Sequence, residues 1–251
     1  MKTILITGAT SGIGLETAKA FMRETARGGV RIISLSRSAE KIEMAKKVFK
    51  NQPIEFYECD VSDFESVVSV AKEIEKKYGE IDTLVNNAGT IISGTLETLS
   101  GNNWDKTIRN NLSPYFYVSK AFLPLLKKSD YASIINISSV SGKSGSSSVA
   151  YACAKAGVDH FSRIIAGELA KYKIRVNTVS PGMINSGIHV HNGVMSQEQY
   201  DKMLEAAAPN YPLGIGECSD PAGAIVFLAG ENARWITGAD IVVDGGKLVK
   251  F

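Results

Sequence analysis

The chain has 251 residues, 44% of them hydrophobic, a length and apolar share that suit one α/β domain with a well-buried core. Its 28 basic and 26 acidic residues nearly cancel. No basic excess exists to release counterions from a phosphate backbone, which argues against a nucleic-acid partner. Three cysteines, Cys59, Cys153 and Cys218, contain no CxxC pair, and so sparse a count reads as reduced thiols in a reducing compartment. Met1-Lys2 runs straight into an apolar stretch that ends at a glycine loop, with no export signal, and no window is apolar enough to span a bilayer. The expected location is cytoplasmic, with no membrane partner.

In chain order, strand-like apolar runs fall at Ile4-Leu-Ile6, Val30 to Leu35, Ile54 to Tyr57, Thr83-Leu-Val85, Ser133 to Ile137, Ile174 to Val179 and Ile241-Val-Val243. Helical periodicity occupies the intervals, among them Glu16 to Arg23, Phe64 to Tyr78, Trp104 to Lys127 and Ala150 to Ala170. Short strands alternating with longer helices imply right-handed βαβ units. The expected fold is therefore a doubly wound parallel sheet of about seven strands, helices on both faces, in one domain spanning residues 1–251. One irregular stretch, Pro181 to Pro212, is rich in Gly, Asn, His and Met; read as plain surface, it is a loop plus a short amphipathic helix around Gln197 to Ala207. A segment this long serves either as a binding loop or as plain surface connection.

The first strand leads into Gly8-Ala-Thr10-Ser11-Gly12-Ile13-Gly14 and then a helix. Glycine permits a tight turn and a close backbone approach to a pyrophosphate, and the new helix points its free N–H groups at that phosphate. The spacing is G-x3-G-x-G, not the common G-x-G-x-x-G. A tight turn alone would explain three glycines, but their place between strand and helix points to a dinucleotide. At the end of the second strand a carboxylate would hold the adenosine ribose and repel a 2′-phosphate. Here the residues are Ser34-Leu-Ser36-Arg37. Arg37 can fork onto a phosphate, so NADP(H) is the expected cofactor; if Arg37 is only solvated, NAD(H) is the alternative.

Tyr151-Ala-Cys-Ala-Lys155 places a phenol and an ammonium four residues apart on one helix face. A cation beside a tyrosine favours phenolate and would bring the usual pKa of about 10 toward the working pH. By itself the pair could be accidental. Upstream, Ser138-Ser139 follows the fifth strand, where a hydroxyl could donate to a substrate oxygen as charge builds on it.

Taken together and in order, these motifs resemble the short-chain dehydrogenase/reductase family, in its single-domain branch, over nearly the whole chain. Thr7-Gly-x-x-x-Gly-Ile-Gly14 is similar to that family's cofactor loop, and Asp60-Val61 to its adenine contact. Asn86-Asn87-Ala88-Gly89 resembles the segment after the fourth strand. Asn111-Leu112 matches the catalytic asparagine, Ile174 to Gly182 the strand and nicotinamide loop, and Val243-Asp-Gly-Gly246 the last strand end.

The resemblance implies a Rossmann-like fold. It also implies a hydride transfer between a nicotinamide and a carbonyl or secondary alcohol, such as a ketone or 3-oxoacyl group. Tyr151 would be the proton donor, Ser139 a second donor to the carbonyl, and Lys155 the residue that lowers the Tyr151 pKa and binds the nicotinamide ribose. Asn111 would hold a water in the proton route. Gly8, Thr10, Ser11, Gly12, Ile13, Gly14, Arg37, Asp60, Val61, Asn87, Ala88, Gly89, Pro181, Gly182, Ile184 and Ser186 would contact the cofactor, and no metal is expected. By motif the catalytic serine is Ser139; by its interval to the tyrosine it would be Ser138. Ser139 is preferred because the strand anchors the motif. Pro114 stands where glycine is common, so helix geometry there should differ, and Ser186 replaces a frequent threonine.

Two other readings remain: an NAD(H)-dependent sugar or hydroxy-acid dehydrogenase, and a non-catalytic dinucleotide-binding protein. Against the latter, such a protein has no chemical need for Asn111, Ser139, Tyr151 and Lys155 together. The implied partners are a small carbonyl or alcohol substrate and copies of the chain itself, as a homotetramer or homodimer. Residues 183–213 are the expected substrate-binding loop, and His189 and His191 within it are more simply read as surface.

Overall fold

A computed structural model describes residues 1–24, 29–145, 148–191 and 193–249; the side chains of Glu24 and His191 lie outside that description. Seven strands form a single sheet, β1 (Lys2–Thr7), β2 (Val30–Ser36), β3 (Ile54–Glu58), β4 (Thr83–Asn86), β5 (Ser133–Ile137), β6 (Arg175–Pro181) and β7 (Asp240–Val243). Their order is β3-β2-β1-β4-β5-β6-β7, and every pairing is parallel. Near-continuous burial along β1, β2 and β5 explains why these runs are apolar without polar alternation: both faces are covered.

Side-chain alternation sorts β1 between two cores. Ile4 and Ile6 pack with Phe21 of α1 (Gly12–Glu24), Ala45 of α2 (Ala39–Val48) and Ile225 and Leu228 of the helix at Ser219–Ala229. Leu5 faces the other way, with Val67 and Ile74 of α3 (Phe64–Tyr78) and Val118 and Phe122 of the helix at Ser113–Leu126. The Asp63 carboxylate caps α3 by accepting from the Glu65 N–H, and Gly79 ends it at φ +79°.

Trp104 to Lys127, expected as one helix, is two: α4 (Gly101–Asn111) and α5 (Ser113–Leu126), broken at Leu112 (φ −126°, ψ −53°). Pro114 has no N–H to give Asn110, and the Tyr115 N–H bonds the Leu112 carbonyl at 3.1 Å instead of that of Asn111. The ladder is therefore interrupted at the carbonyls of Asn110 and Asn111. After β5 the chain makes a 3₁₀ turn (Val140–Gly142) and enters α6 (Val149–Leu169).

Following β6 come a single turn, α7 (Ile188–His191), then α8 (Gln197–Ala207) and α9 (Ser219–Ala229). A reciprocal capping box between Ser196 and Gln199 starts α8, as the amphipathic pattern there predicts. The sheet order reverses between β1 and β4. In such sheets the crevice beyond the carboxyl ends of the strands is where ligands bind.

Candidate active site

A cavity of about 350 Å³ opens at that crevice. Its first wall is the loop after β1, contributing Gly8, Thr10, Ser11, Gly12 and Ile13. Gly8 (φ +76°) and Gly12 (φ +55°) hold backbone angles that L residues avoid. The first intrahelical bond of α1 runs from the Leu15 N–H to the Ser11 carbonyl. The amides of Gly12, Ile13 and Gly14 thus stand at the mouth of the helix, the arrangement that receives an anion.

Gly14 itself does not line the cavity. A Cβ there would strike the Gly8 carbonyl oxygen and come within 2.5 Å of Asn87 Nδ2. Its lack of a side chain lets α1 pack closely on the turn, and its amide is what it offers toward an anion.

Across from the loop lie Asn87, Ala88 and Gly89. Thr7 Oγ1 accepts the N–H groups of both Asn87 and Ala88 at 2.9 Å, and Asn87 Nδ2 donates back to the Thr7 and Gly8 carbonyls. These bonds tie the ends of β1 and β4 into one rigid rim. Beneath it a buried polar chain runs Ser119, Asn86, Asn136, Ser162.

At the far end of the cavity, Arg37 and Lys41 stand beside Ser36 and Ser38, with Asp60 and Val61 opposite. One Asp60 oxygen accepts from the N–H and hydroxyl of Ser62. Lys41 lies outside the residues that the sequence motifs mark; the Ser38 hydroxyl, which caps α2 at the Lys41 N–H, is the local signal that points to it.

At the opposite end, Ser139, Tyr151 and Lys155 meet Pro181, Gly182, Ile184 and Ser186. Tyr151 and Ser139 line the cavity together, and the serine hydroxyl acts on the phenol as a neighbouring donor. The Ser139 hydroxyl also accepts from the Ser141 N–H at 3.1 Å. The Ser138 hydroxyl is committed elsewhere, donating to the Lys155 carbonyl at 3.1 Å.

Burial, opposed by the nearby Ser139 hydroxyl, pushes the Tyr151 phenol up to about 12. Burial likewise brings the Lys155 ammonium down to about 7, with the Asp159 carboxylate pulling the other way. Desolvation dominates both groups and favours their neutral forms, so the net shift of Tyr151 is upward, opposite to the pull expected of a cation beside it. The ammonium lies 5.6 Å from the Tyr151 ring centroid and donates to Tyr115 Oη at 2.8 Å and to the Ile137 carbonyl at 2.7 Å.

Asn111 is fully buried and does not reach the cavity; its neighbour Asn110 does. The Asn111 carboxamide accepts from the Thr90 N–H and donates to the Thr107 carbonyl. Its side chain fastens the end of α4 to the loop after β4, and only its main-chain carbonyl is left by the helix break. In the same region His189, Tyr200 and Tyr211 close the cavity. His189 is therefore not surface: it is 9% exposed, tilted on Tyr200 at 6.0 Å, and burial lowers its pKa. The Tyr200 hydroxyl accepts from the Gly187 N–H and donates to the Ile184 carbonyl, which pins the loop over the cavity.

What the fold and cleft define is a dinucleotide-dependent oxidoreductase, and comparison with known proteins gives the same class. A family model described as enoyl-(acyl carrier protein) reductase matches residues 8–247. The 3-oxoacyl-(acyl-carrier-protein) reductase FabG of Thermotoga maritima is 35% identical, over 99% of this chain and 98% of its own. The 7alpha-hydroxysteroid dehydrogenase of Bacteroides fragilis is 33% identical over 98% and 93%. Among solved structures, ElxO with NADP bound superposes with a TM-score of 0.87, at 32% identity and 99% coverage of both chains.

The chain belongs to the short-chain dehydrogenase/reductase family. Family and neighbour together point to a nicotinamide dinucleotide cofactor and a small-molecule substrate. Among the described residues, no helix is long and apolar enough to cross a membrane.

Proposed function

We propose that the protein reduces a ketone, of which a 3-oxoacyl group is the first to test, to a secondary alcohol with NADPH. The observation behind this reading is that the Ser139 and Tyr151 hydroxyls and the Lys155 ammonium share one cavity with the glycine loop. The residues fit the cofactor: the α1 amides suit a pyrophosphate, and a Cβ at Gly8 would come within 3.3 Å of the Ala88 backbone in this tightly drawn rim. Arg37 just after β2 and Lys41 in the first turn of α2 supply positive charge where a ribose-binding carboxylate would otherwise repel a 2′-phosphate.

A bound nicotinamide would supply the hydride. Ser139 already accepts from the Ser141 N–H, so its own proton is available to a carbonyl oxygen. The high Tyr151 pKa keeps the phenol protonated at neutral pH, and it donates once an alkoxide, far more basic than phenolate, begins to form. Lys155 adds positive charge beside that oxygen. Asn111, fully buried and off the cavity, serves the site by fastening the end of α4 to the loop after β4.

Tyr200, Tyr211 and His189 give the substrate end an aromatic, mostly neutral wall suited to an uncharged ketone. Exposed Trp104, Phe116 and Ile164 on α4, α5 and α6 support pairing of these helices in a homotetramer or homodimer, which light scattering reads directly.

Fluorescence titration tests the cofactor. NADPH should bind at least about tenfold tighter than NADH, a difference of about 1.4 kcal/mol, and Arg37→Ala should erase most of it. Turnover of a 3-oxoacyl thioester or simple ketone with NADPH tests the chemistry. A preference for NADH overturns the phosphate role of Arg37, and failure of both cofactors to bind overturns the whole reading.

A further inference from the structure

Tyr115 enters the site from α5, directly after the helix break and Pro114. It is 1% exposed, and burial holds its phenol well above the ordinary value, so it is a neutral hydroxyl. That hydroxyl donates to the Ile137 carbonyl at 2.6 Å and accepts from Lys155 Nζ at 2.8 Å. Lys155 Nζ also donates to the same Ile137 carbonyl at 2.7 Å, closing a ring of three hydrogen bonds among α5, α6 and β5.

A buried tyrosine needs one acceptor for its proton, and Ile137 meets that need. The bond from Lys155 is additional, and it has a geometric consequence. An ammonium has three N–H donors. Two are fixed on the α5 and β5 side, so the tetrahedral nitrogen turns its third toward the cavity, where Tyr151 and Ser139 stand.

The electrostatic consequence follows from what else faces Lys155. From α6 come neutral Tyr151 and the Asp159 carboxylate, and from α5 comes Tyr115. Asp159 is in turn ion-paired at 2.6 Å with Lys143, from the turn after β5. Asp159 is thus shared with a second cation. The oxygens in hydrogen-bond contact with the Lys155 charge are those of Tyr115 and Ile137.

We propose that Tyr115 is a positioning residue for Lys155: its hydroxyl favours the charged ammonium against the cost of burial and aims the remaining N–H at the reacting oxygen. The inference rests on the reading of Lys155 as partner of Tyr151 in carbonyl reduction. It also gives Lys155 a protein hydroxyl as a fixed partner, beside the nicotinamide ribose and Tyr151 that the family resemblance implied.

The test is Tyr115→Phe, which keeps the ring and removes the oxygen. Nitrogen-15 NMR of lysine-labelled protein follows the Lys155 ammonium with pH, in the protein without substrate, assigned by its loss in Lys155→Arg. Losing an acceptor from a buried cation lowers its titration midpoint by about one pH unit. The alkaline limb of kcat for ketone reduction moves down by the same amount. NADPH affinity, read where Lys155 is fully protonated, stays within about twofold.

Tyr117→Phe removes a hydroxyl from the same helix and moves neither quantity. If Tyr115→Phe does not accumulate as folded protein, 3-fluorotyrosine at position 115 retains the hydroxyl as a weaker acceptor and moves the midpoint in the same direction. An unchanged midpoint, even with a reduced kcat, overturns the proposal and leaves Tyr115 as packing. Should no carbonyl be reduced at all, the reaction assignment fails, while the NMR titration still decides the Tyr115–Lys155 link.

Discussion

Two lysines packed at α6 are held in opposite ways. Lys143, in the turn after β5, donates to Asp159 and Asp240 at 2.6 Å each and to the Ser180 hydroxyl at 2.9 Å. These carboxylates outweigh its desolvation, and its pKa is raised. Lys155 is more deeply buried, 3% exposed, and its hydrogen bonds go to a phenol and a carbonyl, both neutral; its pKa falls to about 7. Burial costs any cation, and whether a carboxylate compensates decides what the residue becomes. Lys143 is a permanently charged strut tying α6 to β6 and β7, while Lys155 is poised to gain or lose its proton near neutrality.

The largest expected effect separates the two by activity. Lys155→Met lowers kcat about 10²- to 10⁴-fold, and Ser139→Ala about 10²-fold or more, whereas Lys143→Met keeps kcat within about threefold. Steady-state reduction of a ketone with NADPH measures all three, and a collapse of kcat in Lys143→Met would dissolve the distinction between strut and reacting group.

Stability should invert the ranking. Lys143→Met leaves two carboxylates facing each other without their cation. The cost is about 2–4 kcal/mol, below the figure for fully buried pairs because these side chains keep some exposure. The thermal midpoint falls by about 5–15 °C. Lys155→Met replaces a charge that burial disfavours and raises the midpoint at neutral pH.

The pH dependence sharpens this further. The Lys155 pKa is about 7 folded against an ordinary 10.5. Between those values the unfolded chain binds more protons, so the parent gains stability as pH rises through that window, and Lys155→Met abolishes the gain. The raised Lys143 pKa works the other way: its contribution is whole below 10.5 and is lost only as pH climbs past that. Calorimetric melts across this range check both signs.

This contrast marks what could be read from the chain beforehand. The i, i+4 spacing set Tyr151 and Lys155 on one helix face because helix geometry is local. The limits of α3 and β5 matched their patterns for the same reason: Asp63 and Gly79 cap the helix, and Ala132 and Ser138 bracket a fully buried run. Pro114 flagged altered geometry without saying that the helix would part at Leu112.

Illegible were the quantities that burial and long-range contact decide. Tyr115 lies 40 residues from the ammonium it holds, and Lys143 and Asp240 meet only once β7 joins the sheet edge. Desolvation reversed the expected direction of the Tyr151 pKa because it depends on the packed interior, not on the neighbour in the helix. His189 read as surface since nothing local shows that α7 folds under Tyr200.

The smallest expected effect lies in the backbone of Lys155 itself. The Ser138 hydroxyl donates to the Lys155 carbonyl, at a point inside α6 where the helix presses on the turn after β5; a Cβ on Gly142 would come within 2.7 Å of the Ala156 nitrogen. Ser138→Ala removes one neutral hydrogen bond, about 1 kcal/mol, and the thermal midpoint falls by about 2–4 °C. Because the carbonyl is a helical acceptor already, and because the side-chain ring of Tyr115, Ile137 and Lys155 is untouched, kcat stays within about threefold. If Ser138→Ala instead loses as much activity as Ser139→Ala, the serine that faces substrate has been misassigned. In that case the interval to Tyr151, not the strand-end motif, identifies it.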